Sequence, residues 1–426
     1  MPHEIGILGG GLSGLLLGNL LGPRAEVLEA ETEVGGLCRS FYCDGFTFDI
    51  GGHMIFSRDP DSLALLISFL NENVHCRLRV NRILFKDRYM KYPFENDLAS
   101  LDKEDLFNAL YHYLTATGST SSNFKSWLYH TFGKGIAELY LIPYNRKIWK
   151  IDPSEMSTIW VERIPRPPLE DIIKSAIGIP TEGYVHQLYF HYPIRGGIGA
   201  LPQSLLMGAN VIPNFRIAKI IKNSGYWEII SDNEEIKKYK YLISTIPLPE
   251  LVLAQANVPE EIKILSDQLQ YNSLIVAFVG FVGEHSFPPF TALYSADPEI
   301  IFHRFCFMEQ FSEKNAPPKG TGIIGEATFP GNSPELEKPD EYFLSHLIQF
   351  CDAQKWIGKA TLVTSKVIRV KYAYVVPNLT YPQVLEQIHQ YFAKNGIVLA
   401  GRFGRFEYLN MDAVLQNALK VKEIFQ

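Results

Sequence analysis

The sequence predicts an α/β fold organised around a Rossmann-like nucleotide-binding unit. An apolar run at residues 5–8 enters a glycine cluster, and a helical apolar pattern follows it. Gly9, Gly11 and Gly14 match G-x-G-x-x-G, whose glycines permit a tight turn, close approach to a pyrophosphate and close helix–strand packing. A second apolar strand, Ala25 to Leu28, ends at Glu29, where an acid is needed for a ribose hydroxyl. This order predicts dinucleotide binding.

Composition narrows the class of protein. The 426 residues are 46% hydrophobic and 13% aromatic, which predicts an ordered globular chain of two or three domains. The net charge of -6 without a basic run argues against a nucleic-acid partner. The sequence shows neither a signal peptide nor an apolar run of about 18 residues, so no membrane association is expected. Five cysteines without C-x-x-C indicate a reducing compartment and no metal site, hence a cytoplasmic protein.

A second glycine turn follows the first. The stretch GGLCRS at residues 35–40 places Arg39 where a second contact with a pyrophosphate is possible, whereas a nicotinamide-binding Rossmann unit would continue with another strand and helix. Gly51, Gly52 and His53 come next. This arrangement resembles the FAD-binding start of the flavin amine oxidase and protoporphyrinogen oxidase superfamily. The Gly-Gly-His triplet more specifically resembles the flavin loop of UDP-galactopyranose mutases of the eukaryotic type.

Three later segments resemble the places where that superfamily returns to its flavin: residues 192–199, 241–247 and 396–404. The resemblance implies a Rossmann-like FAD-binding domain built from discontinuous segments, at residues 1–60, 193–270 and 381–426. It implies FAD contacts from these residues: Gly9, Gly11, Leu12, Ser13, Gly14, Glu29, Gly36, Leu37, Arg39, Gly51, Gly52, Thr245, Gly401 and Met411.

The remaining chain divides into two substrate-side parts. Residues 61–192 are predicted to form a helical insertion with a possible mobile lid, since apolar residues recur at helical spacing and proline and glycine follow. Residues 271–380 are predicted to form a substrate domain with a mixed or antiparallel sheet. The expected elements are helices at 61–73, within 101–149, at 169–177 and at 411–425, a hairpin at 80–90, two strands within 211–230, and strands at 272–281 and 322–329.

The resemblance to UDP-galactopyranose mutases extends over most of the chain. That family interconverts the pyranose and furanose rings of a nucleotide-linked sugar, with reduced FAD as the nucleophile at the anomeric carbon and no net oxidation. Arg304 and Arg402 match its diphosphate arginines, and the planar guanidinium suits two phosphate oxygens. Other superfamily members carry an acid where Arg402 stands, so the arginine favours an anionic substrate over an amine. With His53, these arginines are the predicted catalytic residues.

The resemblance also assigns residues around the sugar and the base. Tyr294, Tyr374 and Tyr408 match hydroxyls that contact the phosphates or the sugar, although core packing is the ordinary role of a single tyrosine. The predicted substrate-binding set is completed by Tyr92, Phe94 and Glu95 at the base, Asn145 and Trp149 at the sugar, and Arg163 near the flavin or the lid.

Two departures from the family pattern concern specificity. Glu95 stands where the family has a glutamine that reads uracil, and a carboxylate accepts hydrogen bonds but donates none. We therefore expect either a nucleotide other than UDP or a Glu95 side chain turned away from the base. Met411 replaces another family glutamine near the far ring of the flavin.

Other interpretations stay open at this stage. The FAD motifs fit an amine oxidase or desaturase equally well, and a binding protein that retains FAD without turnover is a third alternative. The mutase interpretation requires a nucleoside-diphosphate sugar and an external flavin reductant such as NAD(P)H or a reductase. The oligomeric state is open, with a homo-oligomer as one expectation.

Overall fold

The computed structural model describes residues 3–116, 122–164, 166–182 and 188–425, without the side chain of Arg163. Its α-helices are α1 (Leu12–Leu21), α2 (Pro60–Ser68), α3 (Lys103–Leu114), α4 (Phe124–Ile136), α5 (Ile142–Trp149), α6 (Leu169–Ala176), α7 (Ala200–Leu206), α8 (Leu248–Ala254), α9 (Glu260–Asp267), α10 (Met308–Phe311), α11 (Asp340–Ala353), α12 (Tyr381–Asn395), α13 (Gly401–Gly404) and α14 (Met411–Ile424).

Its strands are β1 (Ile5–Leu8), β2 (Ala25–Leu28), β3 (Ser40–Cys43), β4 (Phe46–Asp49), β5 (His75–Leu78), β6 (Asn81–Phe85), β7 (Arg88–Lys91), β8 (Tyr189–Tyr192), β9 (Val211–Ile212), β10 (Ile217–Asn223), β11 (Tyr226–Ser231), β12 (Ile236–Tyr239), β13 (Tyr241–Ser244), β14 (Tyr271–Val282), β15 (Ala292–Ser295), β16 (Arg304–Phe307), β17 (Gly320–Pro330), β18 (Thr361–Val375) and β19 (Ile397–Leu399).

A five-stranded parallel sheet forms the nucleotide-binding side, in the order β19-β13-β1-β2-β9. Strands β1 and β2 are buried along their whole length and consist almost entirely of apolar residues, as expected where both faces of a parallel sheet are covered. The carboxyl ends of β1, β13 and β19 lie at one edge, which is where open α/β sheets bind ligands. The residues after these strands are Gly9, Thr245 and Ala400.

A second, seven-stranded sheet has the strand order β18-β14-β17-β16-β15-β6-β7. Its pairs are antiparallel except for β15 with β6, which is parallel. Helix α5 is fixed on this sheet by side chains of the sheet: Asn272 donates to the carbonyl oxygens of Ile148 and Trp149 at 3.0 and 2.8 Å, and Thr328 donates to that of Ile148 at 2.8 Å. The functional residues of α5 therefore have fixed positions relative to β14 and β17.

Local sequence signals explain where several helices begin and end. Asp59 caps α2 by accepting from the backbone N–H groups of Asp61 and Ser62. Asn123 caps α4 in a reciprocal arrangement with Ser126. Helix α12 ends at Gly396, whose φ of 81° lies in the left-handed region that glycine adopts most readily. These caps satisfy backbone groups that a helix end leaves without partners.

Most predicted elements are present. The predicted strand at residues 25–28 is β2, and the predicted hairpin at 80–90 is formed by β6 and β7. The strands predicted at 272–281 and 322–329 lie within β14 and β17, and the helix predicted at 169–177 is α6. The glycine turn predicted after β19 is the short helix α13, and residues 211–230 contain three strands (β9, β10 and most of β11) instead of two. The domain boundaries stay a prediction, although the hairpin β6–β7, from the segment predicted as helical, joins the seven-stranded sheet. In the described ranges, no helix has the length and apolarity to cross a bilayer.

Candidate functional site

The first glycine turn connects β1 to α1 and is held close to its neighbours. Gly9 has a φ of 97°, and a Cβ atom on Gly14 would lie 1.8 Å from the carbonyl oxygen of Gly9. Only glycine at position 14 therefore allows α1 to begin so close to the turn. Leu12 and Ser13 form the first turn of α1, whose N–H groups and dipole favour an anion at this end.

The second glycine turn lies directly against the first. The N–H of Gly35 donates to the carbonyl oxygen of Gly10 at 2.8 Å, and a Cβ atom on Gly36 would lie 3.2 Å from the Cα of Gly11. Arg39 folds back to donate to the carbonyl oxygen of Gly36 at 3.1 Å. The intervening Leu37 belongs to a single 3₁₀ turn, Gly36–Cys38. The structure thus brings together the two turns that the sequence assigns to one pyrophosphate.

Three further predicted cofactor residues border the same region. Glu29 accepts from the backbone N–H of Gly10 at 2.6 Å, Thr245 donates to the carbonyl oxygens of Leu8 and Gly9 at 2.8 and 3.0 Å, and a Cβ atom on Gly401 would lie 2.0 Å from the Ser13 hydroxyl oxygen. The early, middle and late segments therefore converge as the sequence predicts. Met411 opens α14 and is partly buried against the core.

The Gly51–Gly52–His53 loop is joined to the seven-stranded sheet by one carboxylate. The backbone N–H of Gly52 donates to Glu326 of β17 at 3.0 Å. Nδ1 of His53 lies 3.2 Å from the carbonyl oxygen of Gly51. Burial, and next the positive charge of Arg304, lower the pKa of His53 to about 4. His53 is therefore neutral at physiological pH.

Arg304 is already neutralised by Glu326. Its Nε and Nη2 atoms donate to the two carboxylate oxygens at 2.7 and 2.5 Å, and Glu326 is fully buried. The two residues lie directly opposite each other on β16 and β17. The bidentate side of the Arg304 guanidinium is thus occupied, which leaves Nη1 for a further acceptor.

Arg402 has a different environment. Its Nη1 and Nη2 atoms donate only to backbone carbonyl oxygens, those of Leu409 at 3.3 Å and Ala373 at 2.6 Å. Its Nε atom is buried without a hydrogen-bond partner among the described residues, and no carboxylate in that part of the chain lies within ion-pair distance. The ring centroids of Tyr408 and Tyr374 lie 4.4 and 5.6 Å from its Cζ atom. A half-buried guanidinium without a counter-charge is suited to an anionic ligand.

Aromatic rings line the space beside Arg402. Tyr374 and Tyr408 stack at 5.9 Å, and Trp149 meets both edge-on at 6.0 and 5.7 Å. The indole N–H of Trp149 donates to the side-chain oxygen of Asn145 at 3.0 Å, one turn earlier on α5. Asn145 and Trp149 therefore act as a unit facing the two tyrosines. The side chain of Arg163, also predicted to bind substrate, lies outside the described residues.

The predicted base pocket is packed more tightly. Tyr92 stacks on Tyr294 at 5.0 Å, and the side-chain amide of Asn81 lies 3.3 Å from the hydroxyl of Tyr294. Phe94 is fully buried, stacked on Tyr140 at 5.0 Å, so the structure places it behind the pocket instead of at its surface. Glu95 is 2% exposed, in the 3₁₀ turn Phe94–Asn96.

Sequence reasoning missed Glu326 and His303. Glu326, on β17, binds both the Gly51–Gly52–His53 loop and Arg304. The sequence feature that could have identified it is a lone carboxylate inside the apolar stretch GIIGEATF. His303 precedes Arg304 and is 1% exposed. No group of three metal-ligating side chains occurs within the described ranges.

Comparison with known proteins agrees with this arrangement. Residues 16–341 match the family described as flavin containing amine oxidoreductase. A crystal structure of reduced UDP-galactopyranose mutase superposes with a TM-score of 0.90 at 25% identity, over 99% of this chain and 95% of the other. A protoporphyrinogen oxidase candidate from Exiguobacterium sp. 255-15 has the same fold with a TM-score of 0.78 at 17% identity, over 100% and 99% of the two chains.

A shorter match concerns only part of the chain. An uncharacterized protein in the nifH2 3′ region of Methanothermococcus thermolithotrophicus is 44% identical over 68 residues, which is 15% of this chain and 66% of that relative. The matched family spans most of the chain, and the mutase structure covers nearly all of it. The chain therefore belongs to the flavin-containing amine oxidoreductase family, and within that superfamily it resembles UDP-galactopyranose mutase.

Proposed function

We propose that the protein is an FAD-dependent mutase that interconverts the pyranose and furanose forms of a nucleoside-diphosphate sugar. The observation that carries this proposal is the half-buried guanidinium of Arg402, which has only carbonyl partners among the described residues and whose Nε atom is buried without a partner there. An amine substrate would be repelled by this charge, and an apolar substrate would leave it unpaired. A diphosphate provides the missing counter-charge and the oxygen spacing that a guanidinium recognises.

The residues at the sheet edge fit FAD. A Cβ atom on Gly11 would meet only the Cα of Gly36, at 3.9 Å, so a polyphosphate has room to approach both glycine turns. Glu29 follows β2 at the position of a ribose-binding acid. Gly9, Gly11, Gly36 and Gly401 would border the cofactor, with Thr245 supporting the first turn. Bound FAD kept reduced by an external reductant such as NAD(P)H would supply a nucleophile for the anomeric carbon, without net oxidation.

The geometry supports a role for several side chains of the protein. Arg402 would hold the diphosphate while its bond to the sugar is broken and remade, and Arg304 would add a donor from Nη1. Glu326 orients Arg304 and the Gly52 backbone together. Tyr374, Tyr408 and Trp149 would exclude water from the sugar, since a released sugar that meets water is lost by hydrolysis.

The test is an incubation of dithionite-reduced protein with a panel of nucleotide sugars that includes UDP-galactose and GDP-mannose. The expected result is a new product of unchanged mass that is absent with oxidised protein. The panel also shows which base is accepted and whether Glu95 affects that choice. Absence of conversion, together with oxygen uptake on a panel of amines, would instead support the alternative of an amine oxidase or desaturase.

A further inference from the structure

His303 is a buried histidine with no established partner in the candidate site. Its backbone N–H donates to the carbonyl oxygen of Glu326 at 2.9 Å, and its carbonyl oxygen accepts from Ser295 at 3.0 Å. The backbone is therefore fixed. The side chain is 1% exposed, and neither ring nitrogen has a hydrogen-bond partner among the described residues. A neutral imidazole has one donor and one acceptor, and buried polar groups of this kind are almost always paired.

The ring of His303 contacts Tyr374 of β18. Its centroid is 6.4 Å from that of Tyr374, with the two rings nearly perpendicular. Tyr374 in turn contacts Arg402. The unpartnered ring therefore directly precedes Arg304 in the chain and contacts a tyrosine that also contacts Arg402.

The charged groups around His303 are mainly cationic. Arg304 is adjacent on β16, and α5 contributes Lys147 and Lys150. Burial first, and then these three cations, hold the pKa of His303 well below its ordinary value. Among the other titratable groups, Glu326 is bound to Arg304, and the ammonium of Lys147 donates to the carbonyl oxygen of Asp297 at 2.7 Å. The imidazole is therefore neutral before an anion binds.

A bound diphosphate would raise the proton affinity of His303, because it brings two negative charges to the region of an imidazole whose pKa is lowered by burial and by Arg304, Lys147 and Lys150. We propose that His303 is a further substrate-binding residue, which takes up one proton from solution and donates to a phosphate oxygen when a nucleoside-diphosphate sugar binds. The inference rests on the proposed function and adds a linkage between substrate binding and proton binding. Its sign is fixed: affinity falls as pH rises, because the bound state holds the extra proton.

The experiment is isothermal titration calorimetry of oxidised holoprotein with UDP-galactose, with GDP-mannose as the second probe. Both probes carry a diphosphate esterified at each end, so the ligand itself does not titrate near neutral pH, in contrast to a terminal phosphate. Titrations at pH 6.5 in two buffers of different ionisation heat give the number of protons taken up per ligand bound. We expect a clear fraction of one proton for the wild type and a Kd that rises several-fold between pH 6 and 8.

Matched variants assign the proton. His303→Gln keeps a polar side chain that does not titrate, so proton uptake and the pH dependence of Kd should both disappear while binding persists. His389→Gln removes a partly buried histidine, whose ring contacts the carbonyl oxygen of Arg405, and uptake should be unchanged. Lys147→Met is needed because burial lowers the pKa of Lys147 to about 7, which makes this lysine the competing proton acceptor.

The outcomes separate the two proposals. Binding without proton uptake, uptake that persists in His303→Gln, or uptake that is lost only in Lys147→Met would each overturn the assignment to His303 and leave the mutase proposal standing. Absence of binding of either nucleotide sugar to the wild-type protein would overturn the proposed function and this inference with it.

Discussion

The two arginines of the site, Arg304 and Arg402, differ in their hydrogen-bond partners. Arg304 is paired in a bidentate manner with a buried carboxylate, whereas Arg402 has only backbone carbonyl oxygens among the described residues. The sequence predicts both as equivalent diphosphate ligands. In the proposed mutase their contributions differ, because Arg304 offers only the N–H donors that Glu326 does not use, whereas Arg402 contributes its charge.

Arg402→Ala should weaken binding of UDP-galactose by about 2–5 kcal/mol, or at least about 30-fold in Kd, since the diphosphate loses its principal counter-charge. Arg402→Lys should recover only part of this loss, because an ammonium lacks the planar fork. Calorimetric titration measures both values. Arg405→Ala is the control, since Arg405 pairs with Glu407, and its Kd should stay near that of the wild type. Equal affinity in Arg402→Ala would remove Arg402 from the diphosphate.

Glu326→Gln should destabilise the fold by about 3–5 kcal/mol, because it leaves the guanidinium of Arg304, whose side chain is only 22% exposed, without its counter-charge. Urea unfolding measures the loss. The double variant Glu326→Leu with Arg304→Met should regain most of it, since both charges are then absent. If Glu326→Gln lost less than about 1 kcal/mol of stability, solvent and not Glu326 would be the main stabiliser of the Arg304 charge.

The turn between β1 and α1 contains two glycines, Gly11 and Gly14, that have different roles. A Cβ atom on Gly14 would lie 1.8 Å from a backbone oxygen, whereas one on Gly11 would meet nothing nearer than 3.9 Å. Gly14→Ala should therefore lower the stability of the apoprotein by at least about 1–3 kcal/mol. Gly11→Ala should leave that stability nearly unchanged and still reduce flavin retention, because the added methyl group projects towards the pyrophosphate.

Two measurements check this pair: urea unfolding of the apoprotein, and the ratio of flavin to protein absorbance after purification. Full flavin retention in Gly11→Ala would contradict the placement of the cofactor. A Gly14→Ala apoprotein as stable as the wild type would contradict the close packing of α1 on the turn.

A buried carboxylate joins β4, β8 and the loop before α7. Asp49 is fully buried and accepts from Ser40 at 2.6 Å, Tyr192 at 2.6 Å and the backbone N–H of Ile198 at 3.1 Å. Burial outweighs these hydrogen bonds and raises the pKa of Asp49 from its ordinary 3.8 to about 6. The native state therefore binds a proton more tightly than the unfolded chain.

The consequence is a specific dependence of stability on pH. The contribution of Asp49 falls as pH rises from about 4 to 6, by about 3 kcal/mol for a shift of about two pKa units. Asp49→Asn should abolish this component, so that its free energy of unfolding changes less than that of the wild type between pH 4.5 and 7.5. Urea unfolding at the two pH values checks the difference. Identical pH dependence in both proteins would contradict the raised pKa.

The sequence predicts an element correctly where a pattern within that same segment marks its bounds. The bounds of β2 and the start of α6 agree with the sequence pattern because apolar periodicity and flanking prolines or glycines mark them. The pairing of β6 with β15 could not be predicted, since it joins residues about 210 positions apart. The same is true of Glu326, because its partners come from the flavin loop and from β16.

In the whole molecule, motif spacing and family resemblance predict which segments meet, but packing determines which of their side chains are exposed. The three discontinuous segments of the nucleotide-binding side converge at one sheet edge. Phe94, predicted at the base, is instead core beside Tyr140. A sequence motif identifies a position, whereas exposure depends on neighbours that the motif does not contain.

A mutase of the proposed kind regenerates its reduced flavin in every turnover. The most direct test is an anaerobic reaction in which the protein is reduced by one equivalent of dithionite and then given an excess of the accepted nucleotide sugar. For the proposed mutase we expect many turnovers per equivalent of reductant, product of unchanged mass, and flavin that is still reduced at the end. Product limited to one equivalent per reduced flavin, with flavin oxidised as product forms, would contradict it and identify an oxidoreductase.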